Sequence, residues 1–178
     1  MKNRLNQIFK DVENNYSTIS ETYKILEKTY EMGLLIHPAG QWLLDNMYII
    51  NQEYSDILEH KSNVINKRLP TIKTKDGSKH TSIYYIAYEL IEKNKGYTDQ
   101  NYISDCLRHH QKVAYLTSEE LNLFPLMLRI SIIKFISIIC CNIANSQLQK
   151  IEVEKIISTD LKDYDSKKMK NIIYTSMF

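Results

Sequence analysis

Leu126-Met127-Leu128-Arg129-Ile130-Ser131-Ile132-Ile133-Lys134-Phe135-Ile136-Ser137-Ile138-Ile139-Cys140-Cys141-Asn142-Ile143-Ala144 is the stretch whose reading decides the fold. It is long enough to raise a membrane span, which needs roughly 20 mostly apolar residues. Two charges interrupt it. Arg129 and Lys134 would each cost about 2.5 to 3.5 kcal/mol near a bilayer centre. The segment therefore reads as the long, very apolar central helix of a bundle, hydrophobic nearly all round. A guanidinium on such a helix must be paired, because an isolated charge in low dielectric is prohibitive.

The start of this helix is well marked. Thr117 is an N-cap residue and Glu120 stands three positions on, which is a capping box. Leu116 and Leu121 occupy the positions of a hydrophobic staple. The helix is predicted to run to about Gln149, with Pro125 a point where it can kink. Beyond it, residues 150–178 alternate charge with Ile, Val and Tyr and read as a C-terminal extension of one or two shorter helices.

Helical periodicity extends upstream. Leu5, Ile8, Val12, Tyr16, Ile19, Tyr23, Leu26 and Tyr30 recur at steps of three and four, one face of a long amphipathic helix. Gly33 and His37-Pro38 end it. A second helix is predicted from about Ala39 to His60, with Leu43, Met47, Ile50, Tyr54 and Ile57 as its stripe. Arg68-Leu69-Pro70 and Lys73 to Lys79 read as an extended loop, with Asp76-Gly77 a turn signal. Further helices are expected over Ser82–Lys95 and Asp99–Ala114. The sum is an all-α bundle of about six or seven helices in a single domain over residues 1–178.

Composition agrees. The 178 residues are 43% apolar, enough for a real core, and hold only four Gly and three Pro, too few for a turn-rich β fold. With 23 basic and 21 acidic residues the net charge is +2, so no single-sign field points to nucleic acid. The thirteen Tyr are spread along every segment, as in half-buried helix packing. Cys106, Cys140 and Cys141 form neither a disulfide framework nor a zinc spacing, and suit a reducing cytosol. His109 and His110 are neighbours that cannot face one metal, and Glu119 and Glu120 point apart. With four Gly there is no phosphate loop. No cofactor, metal or catalytic set is expected.

The candidate site lies in His37-Pro38-Ala39-Gly40-Gln41-Trp42-Leu43-Leu44-Asp45-Asn46-Met47, which holds the single Trp. Trp42 lies three residues before Asp45 and four before Asn46, so the three share one neighbourhood on a helix. A Trp beside a carboxylate suits a sugar or partner site. The other reading is a structural clasp, in which Asp45 or Asn46 pairs with Arg129 and ties the second helix to the fifth.

These residues also carry a resemblance. The stretch is similar to the Pro-Ala-x-x-Trp-Leu-Leu-Asp-Asn signature in the N-terminal helical region of the cyclic β-1,2-glucan synthase family. Asn15, Ile19, Tyr23 and Leu26 fit the helix before it, and Leu69-Pro70 the step after it. Tyr84, Ala87, Glu89 and Leu90 resemble the family's Tyr-x-x-Ala-x-Glu-Leu helix. Leu116-Thr117-x-x-Glu120-Leu121, then Pro125-x-Met127-Leu128-Arg129, resembles its Leu-Thr-x-x-Glu-Leu-Trp and Pro-x-x-Leu-Arg segments. The likeness covers about residues 12–147. Gln41 stands where Glu is usual and Asn122 where Trp is usual. Phe135 to Ile139 is apolar where the family is Arg-rich.

The resemblance implies a detached or truncated bacterial module with an accessory role. The complete enzymes polymerise glucose from UDP-glucose and cyclise the product, with a membrane-embedded transferase that 178 residues cannot contain. The expected partner is the remainder of a glycosyltransferase or another helical protein. The expected location is the cytoplasm, or the inner face of the cell membrane. A free-standing interaction protein and a membrane-associated fragment anchored by residues 119–147 stay open as alternatives.

Overall fold

The computed structural model describes residues 4–74 and 77–175, with side chains to residue 159. In chain order it holds α1 (Arg4–Glu31), α2 (Pro38–Glu59), the single turn α3 (Lys61–Val64), β1 (Thr71–Lys73), β2 (Lys79–Thr81), α4 (Ser82–Lys93), α5 (Gln100–Gln111) and α6 (Ser118–Thr175). The fold is all-α with one small hairpin. Among the described residues there are five helices longer than one turn, fewer than the six or seven expected.

A spacing of seven organises the core. Leu5, Val12, Ile19 and Leu26 on α1 are buried, as are Leu43, Ile50 and Ile57 on α2, and Val64 continues that series in α3. On α6 the series is Leu126, Ile133, Cys140 and Gln147. Seven residues are nearly two helical turns, so each series forms one seam along its helix. α6 packs chiefly on α1 and α4, and α2 closes against both α1 and α6. Two serines of α6 are satisfied at short range. Ser137 donates to Asn15 Oδ1 across the α1–α6 seam at 3.0 Å, and Ser131 donates back to the Met127 carbonyl at 2.8 Å. Tyr16 stacks on Tyr54 between α1 and α2, with ring centroids 3.8 Å apart.

α6 is less enclosed than its composition predicts. A stretch of it is long and apolar enough to cross a membrane, with mean hydropathy 2.0, and half of that stretch is buried in the bundle. Ile138 and Ile139 remain exposed. The two charges are both engaged. Arg129 is paired with α2, and the Lys134 ammonium lies 3.8 Å from the centre of the Tyr88 ring on α4, a cation–π contact. Burial pulls the Lys134 pKa below the usual lysine value.

The capping box forms as expected. Glu120 N donates to Thr117 Oγ1 at 3.2 Å, and Glu120 Oε2 accepts from Thr117 N at 3.0 Å. Leu116 packs on the core while Leu121 stays exposed. The helix continues through Pro125 and does not stop near Gln149: residues 150–175 prolong α6 in place of the separate short helices expected. No Gly or Pro occurs after Pro125, so nothing in the chain breaks the hydrogen-bond ladder. Residues 176–178 of the expected extension lie outside the described residues.

The stretch read as an extended loop instead closes into the antiparallel pair β1–β2, in register Thr71↔Thr81, Ile72↔His80 and Lys73↔Lys79. Asp76 of the expected turn lies outside the described residues; Gly77 donates to the Thr74 carbonyl at 2.9 Å. Gly96 closes α4 at φ +82°, and a Cβ there would lie 2.7 Å from Phe135 Cε1. α5 is capped by Asp99, whose carboxylate accepts from Tyr102 N at 2.8 Å, yet none of its residues is buried.

Two outcomes follow for the fold. Gly96→Ala combines a left-handed backbone with a clash against Phe135, so urea unfolding is expected to show a loss of at least about 1 kcal/mol. In native-state hydrogen exchange, α5 is expected to open well before α1 and the packed part of α6, because little apolar surface holds it. Protection of α5 equal to that of α1 would contradict this packing.

Candidate functional site

The head of α2 is built by local rules. Pro38 occupies the first helical position, where its missing N–H costs nothing, and His37 caps the helix by accepting from Ala39 N on Nδ1 at 3.2 Å. Gly40 is buried against α1. A Cβ there would lie 2.9 Å from Leu26 Cδ2, so a larger residue would push the two helices apart. This close approach sets the position of the next turn, which carries Trp42, Asp45 and Asn46.

The structure does not bring the expected clasp together. Arg129 does tie α6 to α2, but through Glu53 and Asp56. Its Nε donates to Glu53 Oε2 at 2.6 Å and its Nη2 to Asp56 Oδ2 at 3.3 Å. Asp45 is exposed and accepts from the Gln41 side-chain amide at 3.1 Å, while Asn46 donates to the Trp42 carbonyl at 2.8 Å. Glu53 and Asp56 lie two to three turns further along α2 than Asp45, at the level where α6 carries Arg129. The three ion-pair side chains keep 32% (Arg129) and 41% (each carboxylate) of their surface, so the tie is a partly solvated pair.

Nor do Trp42 and Asp45 share one pocket. Asp45 faces a polar surface hollow toward α1 with Gln41, Glu27 and Tyr30. Trp42, 49% exposed, turns the other way, toward α6. There it walls an apolar slot of about 130 Å³ with Ala39, Leu43, Ile136 and Cys140. The slot adjoins a larger cavity of about 300 Å³, and Ala39, Ile139 and Ile143 line both. His37 and Lys150 stand at the larger cavity, and Lys150 Nζ donates to the Leu35 carbonyl at 3.3 Å.

Gln147 is the residue that sequence reading missed. It holds the last place in the buried α6 series, is fully buried, and lines the larger cavity. Neither its amide oxygen nor its amide nitrogen has a hydrogen-bond partner among the described residues. A buried amide left unpaired costs about 1 to 3 kcal/mol per group, so Gln147 is an uncompensated polar group at this end of α6. The available signal was a Gln continuing an otherwise apolar spacing of seven.

A second cleft lies between α4 and α5, where Tyr85, Glu89, Lys93, Tyr102, Cys106 and His110 gather. Glu89 accepts from Tyr85 at 2.6 Å and Lys93 at 2.7 Å. Those two bonds hold its pKa below the usual carboxylate value. A carboxylate so satisfied is a poor general base. Among the described residues, no three His, Cys, Asp or Glu side chains gather as a metal site.

No protein-family model, no curated protein and no solved structure matches this chain.

The site makes two checkable statements. In double-mutant cycles, Arg129 is expected to couple with Glu53 by about 0.5 to 1 kcal/mol and with Asp45 by nothing measurable. The slot-lining Cys140 thiol is pushed up to about 11 by burial, whereas Cys141 is exposed. Iodoacetamide at pH 8 is therefore expected to modify Cys141 and leave Cys140 intact until the protein unfolds, read by peptide mass mapping.

Proposed function

We propose that this chain is a non-catalytic helical accessory module, akin to the N-terminal region of cyclic β-1,2-glucan synthases, and that it acts by binding a partner at the head of α2. The observation that carries the reading is a division of labour among the family-like residues. Most of them hold the bundle together. Asn15 accepts from Ser137, Ile19 and Leu26 fill the core, and Ala87 and Leu90 are buried on α4. Thr117 and Glu120 cap α6, and Arg129 ties it to α2. Trp42 and Asp45 have no such internal duty. Trp42 leaves half of its large aromatic surface open beside an apolar slot, the profile of an interface anchor.

The partner in this reading is the catalytic remainder of a glucan synthase. A second reading, an interaction protein unconnected with glycosyl transfer, draws on the exposed Val153, Ile156 and Ile157 of distal α6. Co-purification with a separately expressed glucan synthase transferase region discriminates them. The proposal expects a stable complex that Trp42→Ala weakens at least tenfold while leaving the melting temperature unchanged. It also expects no turnover of UDP-glucose by the chain alone. Failure to associate, or turnover, would overturn it.

A further inference from the structure

We infer that α6 beyond Ile151 pairs with the same segment of a second copy of this chain, the two helices running antiparallel. This pairing uses none of the residues at the head of α2.

α6 outruns the bundle. At 58 residues it is about twice as long as α1, which has 28. Ile151 is the last buried residue among those described, and every described side chain from Glu152 to Thr159 is exposed. The helix nevertheless continues to Thr175, roughly 36 Å further at 1.5 Å per residue. A helix draws most of its stability from a packed face, and one standing alone in water is marginal at this length. Apolar residues sit on this segment all the same: Val153 and Ile157 keep 54% and 47% of their surface exposed.

These residues do not prolong the seam that packs in the bundle. The buried series Leu126, Ile133, Cys140 and Gln147 reaches Glu154 at its next step of seven. A new stripe starts instead with Val153, Ile157, Leu161, Tyr164, Lys168 and Ile172. Val153 and Tyr164, Ile157 and Lys168, and Leu161 and Ile172 are each eleven residues apart. An 11-residue repeat keeps one face turned toward a neighbouring helix along its whole length. Lys168 is compatible with that face, because a lysine stem lies along apolar surface while its ammonium stays in water.

The charges beside the stripe select the occupant and its direction. Helical spacing places Asp160 and Lys167 on one flank and Glu154 and Asp165 on the other. In an antiparallel pair of identical helices, like flanks meet, so Asp160 of each copy faces the partner's Lys167. In a parallel pair opposite flanks meet, and Asp160 faces the partner's Asp165. The antiparallel register that sets Val153 level with the partner's Ile172 also sets Leu161 level with the partner's Tyr164. The stripe thus supplies its own apolar complement, and the overlap lies wholly beyond the bundle. A bilayer surface fits less well. Glu152, Glu154, Asp160, Asp163 and Asp165 outnumber Lys155 and Lys162 over residues 152–165, and an anionic membrane attracts basic helices.

Analytical ultracentrifugation of the full chain in reducing buffer, at micromolar concentrations, tests the pairing. The expected result is a reversible monomer–dimer equilibrium. Leu161→Asp should abolish the dimer and leave the melting temperature of the dilute protein unchanged, because Leu161 lies beyond the packed part of α6. Asp160→Lys and Lys167→Asp should each weaken the dimer at least tenfold, about the scale of two surface ion pairs turned repulsive. An equimolar mixture of these two variants should recover the native affinity, since every contact between unlike copies is again of opposite sign. Four results would overturn the inference: no dimer, a dimer that survives Leu161→Asp, a dimer tightened by Asp160→Lys as parallel pairing requires, or a monomer that adsorbs to phosphatidylserine vesicles instead. Each is read without the transferase region, so the outcome is separate from that of the Trp42→Ala experiment.

Discussion

The seam between α1 and α6 is the constraint from which the rest of the structure follows. α1 and α6 are packed together, buried residues recur seven apart on both, and each fully buried Leu or Ile contributes about 1.5 to 3 kcal/mol. That burial allows a helix with the composition of a membrane span to sit in a bundle. Three polar residues of α6 each have a defined partner. Ser137 meets Asn15, Lys134 lies on Tyr88, and Arg129 reaches the acidic turn of α2. Every one of these contacts fixes α6 against a different helix, so the charges that interrupt its apolar run specify its neighbours.

Gln147 is where this logic stops. The α6 series Leu126, Ile133, Cys140 reaches it in step, but the last position is an amide with nothing to bond. At the same level α2 begins, and Gly40 brings its head close to Leu26 on α1. The bundle is thus well packed along most of its length and left open at one end, beside the one exposed indole. Gln147 is buried and unpaired, whereas Trp42 keeps half of its surface open, and the docking reading rests on Trp42.

Much of this was legible in the chain. Steps of three and four marked α1 and α2 and their buried faces, and Thr117 with Glu120 marked the start of α6 to the residue. The need for an Arg129 partner on the second helix was legible too, but its identity was not. Periodicity tells which face of a helix a residue occupies; it does not tell how far two helices slide along each other. From Asp45 to Glu53 is eight residues, about 12 Å of helix axis, and that offset is set by the whole bundle. The end of α6 was misplaced for a simpler reason. Alternating charge suggested a break, whereas the absence of Gly and Pro after Pro125 was the better guide. The β1–β2 pair rests on only three residues per strand, too short for alternation to declare itself.

The central claim is that α6 is a core helix seated on α1. A cross-link between Asn15→Cys and Ser137→Cys, in a background lacking the three native cysteines, tests it most directly, because the native side chains touch at 3.0 Å. With a short bismaleimide in detergent-free buffer, the account predicts rapid, near-complete intramolecular bridging that disappears in urea. Absence of the bridge, or a bridge that forms only after detergent is added, would contradict it.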